Sequence, residues 1–306
     1  MISVLMATHD GADTIERSLT ALAGLDAPSE GWELIVINNA STDDTEARIL
    51  KWRDRLPLQY LAEPRLGKSF ALNTGLGAAK GDLIVMTDDD VLPDRNWLTE
   101  LRHVANAYPH CAIFGGAIIP EFAGGPPPNV PVWCYGVLYG LTPVHTEGEI
   151  APMRGSDLYD ISGANLAIRD AVRDAGCRFD NNFLVGSGGL MGEDTEFVRQ
   201  ASAMGFKVAF APKARIGHIV HQHQTSWRWI HHRFFRHGHT AFLQAKARGE
   251  RLGFPWTKIR GALGSVLRYL IAWIGNDKVG AFKQSRALAY DLGAIHQALC
   301  SLRRAP

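Results

Sequence analysis

The sequence predicts an α/β protein: a mainly parallel sheet flanked by helices, followed by a basic helical tail. Three observations carry that reading. Short apolar runs alternate with helical patterns through the first half, a glycine- and proline-rich segment breaks the rhythm near residue 120, and the charge changes sign near residue 212.

The runs Ile2-Ser3-Val4-Leu5-Met6-Ala7, Trp32 to Ile37, Leu58 to Leu61 and Leu83 to Met86 read as strands. Between them Ile15, Leu19 and Leu22 lie at helical spacing. Ser41-Thr42-Asp43-Asp44 offers caps for a helix through Trp52, and Ser69 to Ala79 reads as another. Strands separated by single helices imply parallel neighbours with both faces covered. Gly124-Gly125-Pro126-Pro127-Pro128 cannot form regular helix or central strand, so a long functional loop is expected over about 120 to 158. A later strand, Lys207 to Phe210, is expected to end at Pro212.

A chain of 306 residues with 46% hydrophobic content can bury a full-sized core. The start runs into an apolar strand without a basic region or a cleavage site, so the expected location is the cytosol. The four cysteines, Cys111, Cys134, Cys177 and Cys300, form no CxxC pair, which argues against structural zinc and against a disulfide framework. The net charge of +1 hides an asymmetry: residues 1–212 carry 16 Lys and Arg against 28 Asp and Glu, and residues 213–306 carry 16 against 3. A basic tail of that kind suits an anionic lipid, a nucleic acid or an anionic sugar donor. In Leu263 to Gly275, apolar residues at helical spacing fit a helix lying on a membrane surface or one packed on the catalytic domain, and the stretch is too short to cross a bilayer.

Chemistry concentrates in two acidic groups. Asp88-Asp89-Asp90 closes the fourth apolar run, where strand-end carboxylates project into solvent and offer hard oxygen ligands to a divalent cation. Gly188-Gly189-Leu190-Met191-Gly192 leads into Glu193-Asp194-Thr195-Glu196, acids suited to the first turn of a helix. Seven of the twelve histidines fall between positions 218 and 239, at spacings too irregular for a zinc site.

Taken in order, Ala7-Thr8-His9-Asp10-Gly11, Ile37-Asn38-Asn39-Ala40-Ser41, Gly67-Lys68-Ser69, Thr87-Asp88-Asp89-Asp90, Ser162-Gly163-Ala164-Asn165, Gly192-Glu193-Asp194 and Pro212 to His218 resemble the family 2 glycosyltransferases over roughly residues 1–240. That resemblance implies a GT-A (Rossmann-like) domain over 1–240 and a helical extension over 241–306. It also implies an inverting transfer of a hexose-type sugar from a nucleotide diphosphate sugar, a UDP-sugar first, to a hydroxyl of a glycan or lipid-linked acceptor. Asp90 is then the direct ligand of Mg2+ or Mn2+, Asp88 a ribose or metal-water contact, and His218 completes the metal or pyrophosphate site, with His221 its substitute. Asp194 is the base and Glu193 helps to position it. Thr8, His9, Asp10, Asn38, Asn39 and Lys68 surround the nucleotide. Two asparagines stand where many relatives carry a uracil-reading aspartate, which leaves GDP and dTDP open. Arg233 and Arg236 are phosphate candidates on a helix after the catalytic region. Trp133, with Gly163 and Ala164, is assigned to the acceptor. A peripheral membrane association is compatible with the tail, and no nucleic-acid partner is expected. Two rivals remain: a nucleotidyltransferase, which lacks here its glycine-rich basic loop after the first strand, and a non-catalytic module binding nucleic acid or membrane through the tail.

Overall fold

The computed structural model describes residues 1–128, 130–140, 142, 146–153, 159–182, 191–247, 250 and 254–303. Residues 188–190 of the glycine-rich approach to Glu193 lie outside them. The chain divides into two compact units. The first comprises the described residues of Met1–Glu121, Tyr139–Leu184 and Gly192–Ile219; the second comprises those of Phe122–Leu138, Val185–Met191 and Val220–Pro306.

In the first unit β1 (Ile2–Thr8), α1 (Ile15–Ala23), β2 (Trp32–Asn38), α2 (Thr45–Leu50), β3 (Leu58–Ala62), α3 (Lys68–Ala78) and β4 (Leu83–Asp88) follow the predicted alternation. β3, β2, β1 and β4 are neighbours in that order and pair in parallel. Beyond β4 come β5 (Val91–Pro93), α4 (Trp97–Ala107), β6 (Cys111–Phe122), β7 (Gly148–Glu149), β8 (Leu166–Arg169), α6 (Asp170–Asp174), α7 (Glu193–Ala203) and β9 (Lys207–Val220), while α5 (Tyr135–Tyr139), between β6 and β7 in the chain, belongs to the second unit up to Leu138. Here the sheet turns antiparallel, because β8 pairs with β4 and β6, and β9 with β5 and β7. The sheet of the described residues is therefore mixed, in the order β3-β2-β1-β4-β8-β6-β9-β5, with β7 on β9.

Alternation along each strand feeds two apolar layers. Ile2, Val4 and Met6 of β1 pack with Ile15, Leu19 and Leu22 of α1 and with Trp97, Leu101 and Val104 of α4. Leu5 and Ala7 point the other way, to a layer holding Leu72 and Leu76 of α3 and Phe197, Val198 and Ala201 of α7. The helices thus grip the sheet from both sides and leave the strand ends free for polar groups.

Three expectations need correction. Pro212 does not end a strand but lies inside β9, between the residues paired to β7 and those paired to β5. Proline's fixed φ suits extended backbone, and its missing N–H matters only where a partner strand needs a donor. The segment 120–158 is not one long loop: β6 runs to Phe122, and a 3-10 turn (Val132–Cys134), α5 and β7 follow. The expected division at 240 falls inside α8 (Trp227–Ala247), and the compact units separate after Ile219.

The second unit is built on α8, α9 (Trp256–Ile274) and α10 (Lys278–Arg303). Ile230 and Phe234 of α8 and Phe282 of α10 are buried there, while Trp227 is exposed. Glycine lets α8 and α10 touch backbone to backbone: a Cβ on Gly238 would overlap Tyr290 O, and one on Gly293 would overlap Phe235 O. A cleft of about 430 Å³ between these three helices, lined by Trp227, His231, Tyr269, Lys278 and Phe282, contains none of the acids singled out above.

Asn165 locks the first unit. Fully buried, it donates through Nδ2 to Ala117 O (3.0 Å) and Ala214 O (2.8 Å) and accepts from Trp97 Nε1 at Oδ1 (2.8 Å), joining β6, β9 and α4. Asn165→Ala strands one donor and two carbonyls. It is expected to lower the unfolding free energy by about 3 kcal/mol, read as a fall in the urea midpoint at unchanged slope.

Candidate active site

The acid triplet sits at the end of β4, next to β1, where the sheet order places the carboxyl ends of parallel strands. Asp88 is the last residue of β4, and Asp90 immediately precedes β5. Because β5 pairs antiparallel with β9, Val91 lies opposite His218, and Ile219 N donates to Asp90 O (2.8 Å). That register brings His218 Nε2 to 3.5 Å from Asp90 Oδ1. One donor atom from each of Asp88, Asp90 and His218 lies within 4.8 Å of the other two. Asp90 Oδ1 and His218 Nδ1 are buried and have no hydrogen-bond partner among the described residues. Burial raises the Asp90 carboxyl, His218 opposes the rise and Asp88 adds to it. Two carboxylates, an imidazole and an orphaned buried oxygen fit a hard divalent cation.

Asp89 turns the other way, as alternation requires. Thr8 Oγ1 donates to Asp89 Oδ2, and Ser18 Oγ donates to Asp89 O (2.8 Å). Burial, with the Asp90 charge beside it, pushes Asp89 up to about 7. Its work is to hold the β4–β5 turn against β1.

The second acidic pair opens α7. Asp194 Oδ2 accepts from Gly163 N (2.6 Å) and Oδ1 from Thr195 N (2.7 Å), so two backbone amides fix the carboxylate. Gly163 sits tightly against it, since a Cβ there would stand 3.0 Å from Asp194 Cβ and would press on that side chain. Glu193 is buried, and burial raises its carboxyl although Lys68 opposes the rise. Lys68, the first residue of α3, bridges both acidic groups: its ammonium donates to Asp88 Oδ1 and lies 3.8 Å from Glu193 Oε1. Burial works against the charged amine, yet the Asp88 and Glu193 charges raise it above the ordinary lysine range. A cation on the first turn opposes the helix dipole, and that misplacement is the sequence signal that could have marked Lys68 as a counter-charge.

The residues assigned to the nucleotide line the ends of β1 and β2, with much of their polar capacity in use. Asn39 donates through Nδ2 to Glu63 O (3.1 Å) and Arg65 O (2.7 Å) and accepts from Gly67 N at Oδ1 (2.8 Å). Asn38 donates to Tyr60 Oη (3.1 Å) and accepts from Ser41 N (3.2 Å). His9 Nδ1 donates to Asn39 O (2.8 Å), and Asp10 Oδ1 accepts from Thr42 N (2.7 Å). The asparagines therefore build the wall of this region. Beneath it Glu63 accepts from Arg65 N, Nε and Nη2 (2.8–3.0 Å) and from Thr74 Oγ1 (2.6 Å).

The acceptor assignments spread differently. Ala164 is buried and its carbonyl accepts from Thr87 Oγ1 (3.0 Å), so it braces β4, and Gly163 braces Asp194. Trp133 belongs to the second unit, where Arg286 stands 5.0 Å and Lys283 5.9 Å from the ring centre. His221 caps a short 3-10 turn (Gln222–Thr225). Arg233 of α8 lies 5.8 Å from the Trp229 ring centre. Buried His237, held near 4 by burial and the Arg233 charge, donates to Val137 O (3.1 Å). Another group that could hold a metal, His110, Cys111 and Glu149, already has its cation: Lys207 Nζ is 3.0 Å from Glu149 Oε1. Cys111, Cys134 and Cys177 are buried, as packing residues would be.

Comparison with known proteins decides what this arrangement belongs to. The family described as glycosyl transferase family 2 matches residues 3–169, more than half of the chain. The chain belongs to glycosyltransferase family 2. Among relatives, this glycosyltransferase is 28% identical to the succinoglycan biosynthesis protein ExoM of Rhizobium meliloti, over 78% of this chain and 74% of that protein. A match to the probable glycosyltransferase YdaM of Bacillus subtilis is 30% identical but covers 31% of this chain and only 24% of the relative. Among solved structures, the mannosyltransferase PcManGT of Pyrobaculum calidifontis, in complex with GDP-Man and Mn2+, aligns with a TM-score of 0.62 at 19% identity. That alignment covers 96% of this chain and 86% of the other. Residues 1–349 of S. aureus TarS, in complex with UDP, align at 0.57 and 17% identity, covering 99% and 91%. At such identities the structures establish the GT-A fold. Family membership sets aside the nucleotidyltransferase and the non-catalytic module.

Glu63 gives the wall at the ends of β1 and β2 a pH dependence. Hydrogen bonds from Arg65 outweigh burial and hold its carboxyl down, from an ordinary 4.5 to about 2. A depressed carboxyl contributes stability at neutral pH and loses it as pH falls from about 4.5 toward 2. Glu63→Gln is expected to cost about 2 kcal/mol at pH 7. Urea unfolding at pH 7 and pH 3 checks this, because the gap between wild type and variant should narrow in acid.

Proposed function

We propose that this glycosyltransferase is inverting, and that it moves a sugar from a nucleoside diphosphate sugar, with UDP the first donor to test, to a hydroxyl of a glycan or lipid-linked acceptor. The observation that carries the reading is the pairing of the Asp88, Asp90 and His218 group with an Asp194 carboxylate fixed by two amides, all in one compact unit. A divalent cation, Mg2+ or Mn2+, held by Asp88, Asp90 and His218 would neutralise the charge gathering on the diphosphate leaving group. Asp194 takes the proton of the acceptor hydroxyl as its oxygen bonds to the anomeric carbon and the bond from that carbon to the phosphate oxygen breaks. Single displacement of this kind inverts the anomeric centre. Lys68 sets its positive charge between Asp88 and Glu193, and Thr8, His9 and Asp10, on the wall built by Asn38 and Asn39, frame the nucleotide.

Likeness to ExoM, a succinoglycan biosynthesis protein, supports a part in polysaccharide biosynthesis. No described helix is long and apolar enough to cross a membrane. Neighbours bearing UDP and GDP-Man with Mn2+ support the donor class.

Calorimetric titration of UDP, GDP and dTDP with and without Mn2+ tests the reading. Metal-dependent binding of one nucleotide, weakened at least about tenfold in Asp90→Asn, is the expected result. Failure of every nucleotide to bind in the presence of metal overturns it. Asp194→Asn is expected to lower turnover by about 10³-fold while nucleotide affinity holds; unaltered turnover removes Asp194 as the base.

A further inference from the structure

α9 is packed inside out. Its side toward α10 is made of small residues: Ala262 and Ser265 are buried, and a Cβ on Gly261 would come within 2.6 Å of Asp291 Oδ2. Polar contacts finish that side, Lys258 Nζ to Asp291 Oδ1 (3.3 Å) and Arg268 Nε to Gln284 Oε1 (2.9 Å). The large apolar residues point away from the protein. Leu263, Leu267, Ile271 and Ile274 are 61–78% exposed, and Val266 and Leu270 widen the stripe. Spacing of i, i+4, i+8 and i+11 puts them on one face over three turns. Trp256 and Trp273, 62% and 68% exposed, stand at the two ends, and exposed Phe254 precedes the first. Apolar patches of this length on a soluble surface mark a contact.

Charge selects the occupant. From Trp256 to Ile274 there is no acidic residue, while Lys258, Arg260 and Arg268 are present; Asp277 and Lys278, both exposed, follow, so the segment stays basic. Interfacial helices combine an apolar face, basic residues beside it and aromatic side chains at headgroup depth. At 19 residues and about 1.5 Å per residue, α9 would lie along the plane of a bilayer, with tryptophan anchoring both ends. A two-fold contact between two copies would instead bring together two margins on which Arg260, Arg268 and Lys278 outnumber Asp277.

We propose that α9 is a docking surface for an anionic lipid bilayer, inserting the Leu263-Leu267-Ile271-Ile274 stripe below the headgroups while Arg260 and Lys278 meet lipid phosphates. This inference rests on the second unit alone and stands whether or not the donor and base assignments above hold.

Co-sedimentation of the full chain with phosphatidylcholine vesicles, with and without phosphatidylglycerol, tests it. Wild type is expected to bind only the vesicles containing phosphatidylglycerol, and less strongly as salt rises. Leu267→Ser/Ile271→Ser changes two solvent-facing positions and should lower partitioning about tenfold with an unchanged circular dichroism spectrum. Arg260→Gln/Lys278→Gln should weaken binding and flatten its salt dependence. A wild type that stays in the supernatant, or a serine variant that binds as wild type does, overturns the proposal. So does a dimer in sedimentation velocity that the serine substitutions dissolve without any vesicle binding, since that outcome assigns the face to a second copy.

Discussion

A single ammonium group makes the acidic centre of this protein tenable. Asp88, Asp89, Asp90, Glu193 and Asp194 gather where β4 ends and α7 begins, and two unit charges about 4 Å apart repel by about 4 kcal/mol near a protein surface. Lys68 answers from the first turn of α3, touching Asp88 and facing Glu193. Its position depends in turn on the loop before it, which Asn39 pins to the end of β2 and Glu63 to Thr74 in the middle of α3. The two acidic groups, the wall at the ends of β1 and β2 and the β3–α3 loop are therefore one electrostatic assembly rather than three separate features.

Much of this was legible in the residues. The apolar runs located β1 to β4, and resemblance singled out Asp88 and Asp90 within the triplet, whose middle acid, Asp89, the structure turns toward Thr8. The acids at 193 and 194 were read as a helix start, and α7 opens there. His218 was reached only through resemblance. Its nearness to Asp90 comes from the β5–β9 register, a pairing across more than a hundred residues that no local pattern encodes. For the same reason the antiparallel insertion of β8 and β6 escaped the alternating rhythm, which speaks of neighbours in sequence and not of strand order.

Other features were hidden by ambiguity of chemistry rather than of distance. An asparagine reads equally well as a base contact or as a staple, and only hydrogen-bond partners show that Asn39 and Asn165 are staples. An apolar stripe at helical spacing has the same sequence whether it faces a core or solvent, so α9 could not be oriented before its small-residue side was seen against α10. Resemblance set Lys68 beside the nucleotide, and the structure gives it two carboxylate neighbours.

The paired notches at Gly238 and Gly293 bear on how the second unit can move. With each helix backbone seated in the other's gap, α8 and α10 cannot slide by a turn or rotate about their axes without driving a side chain into a carbonyl. α9 is tied to α10 by Lys258 and Arg268. Any force felt at its exposed face is thus carried as a rigid lever through all three helices, and not dissipated by shear between them.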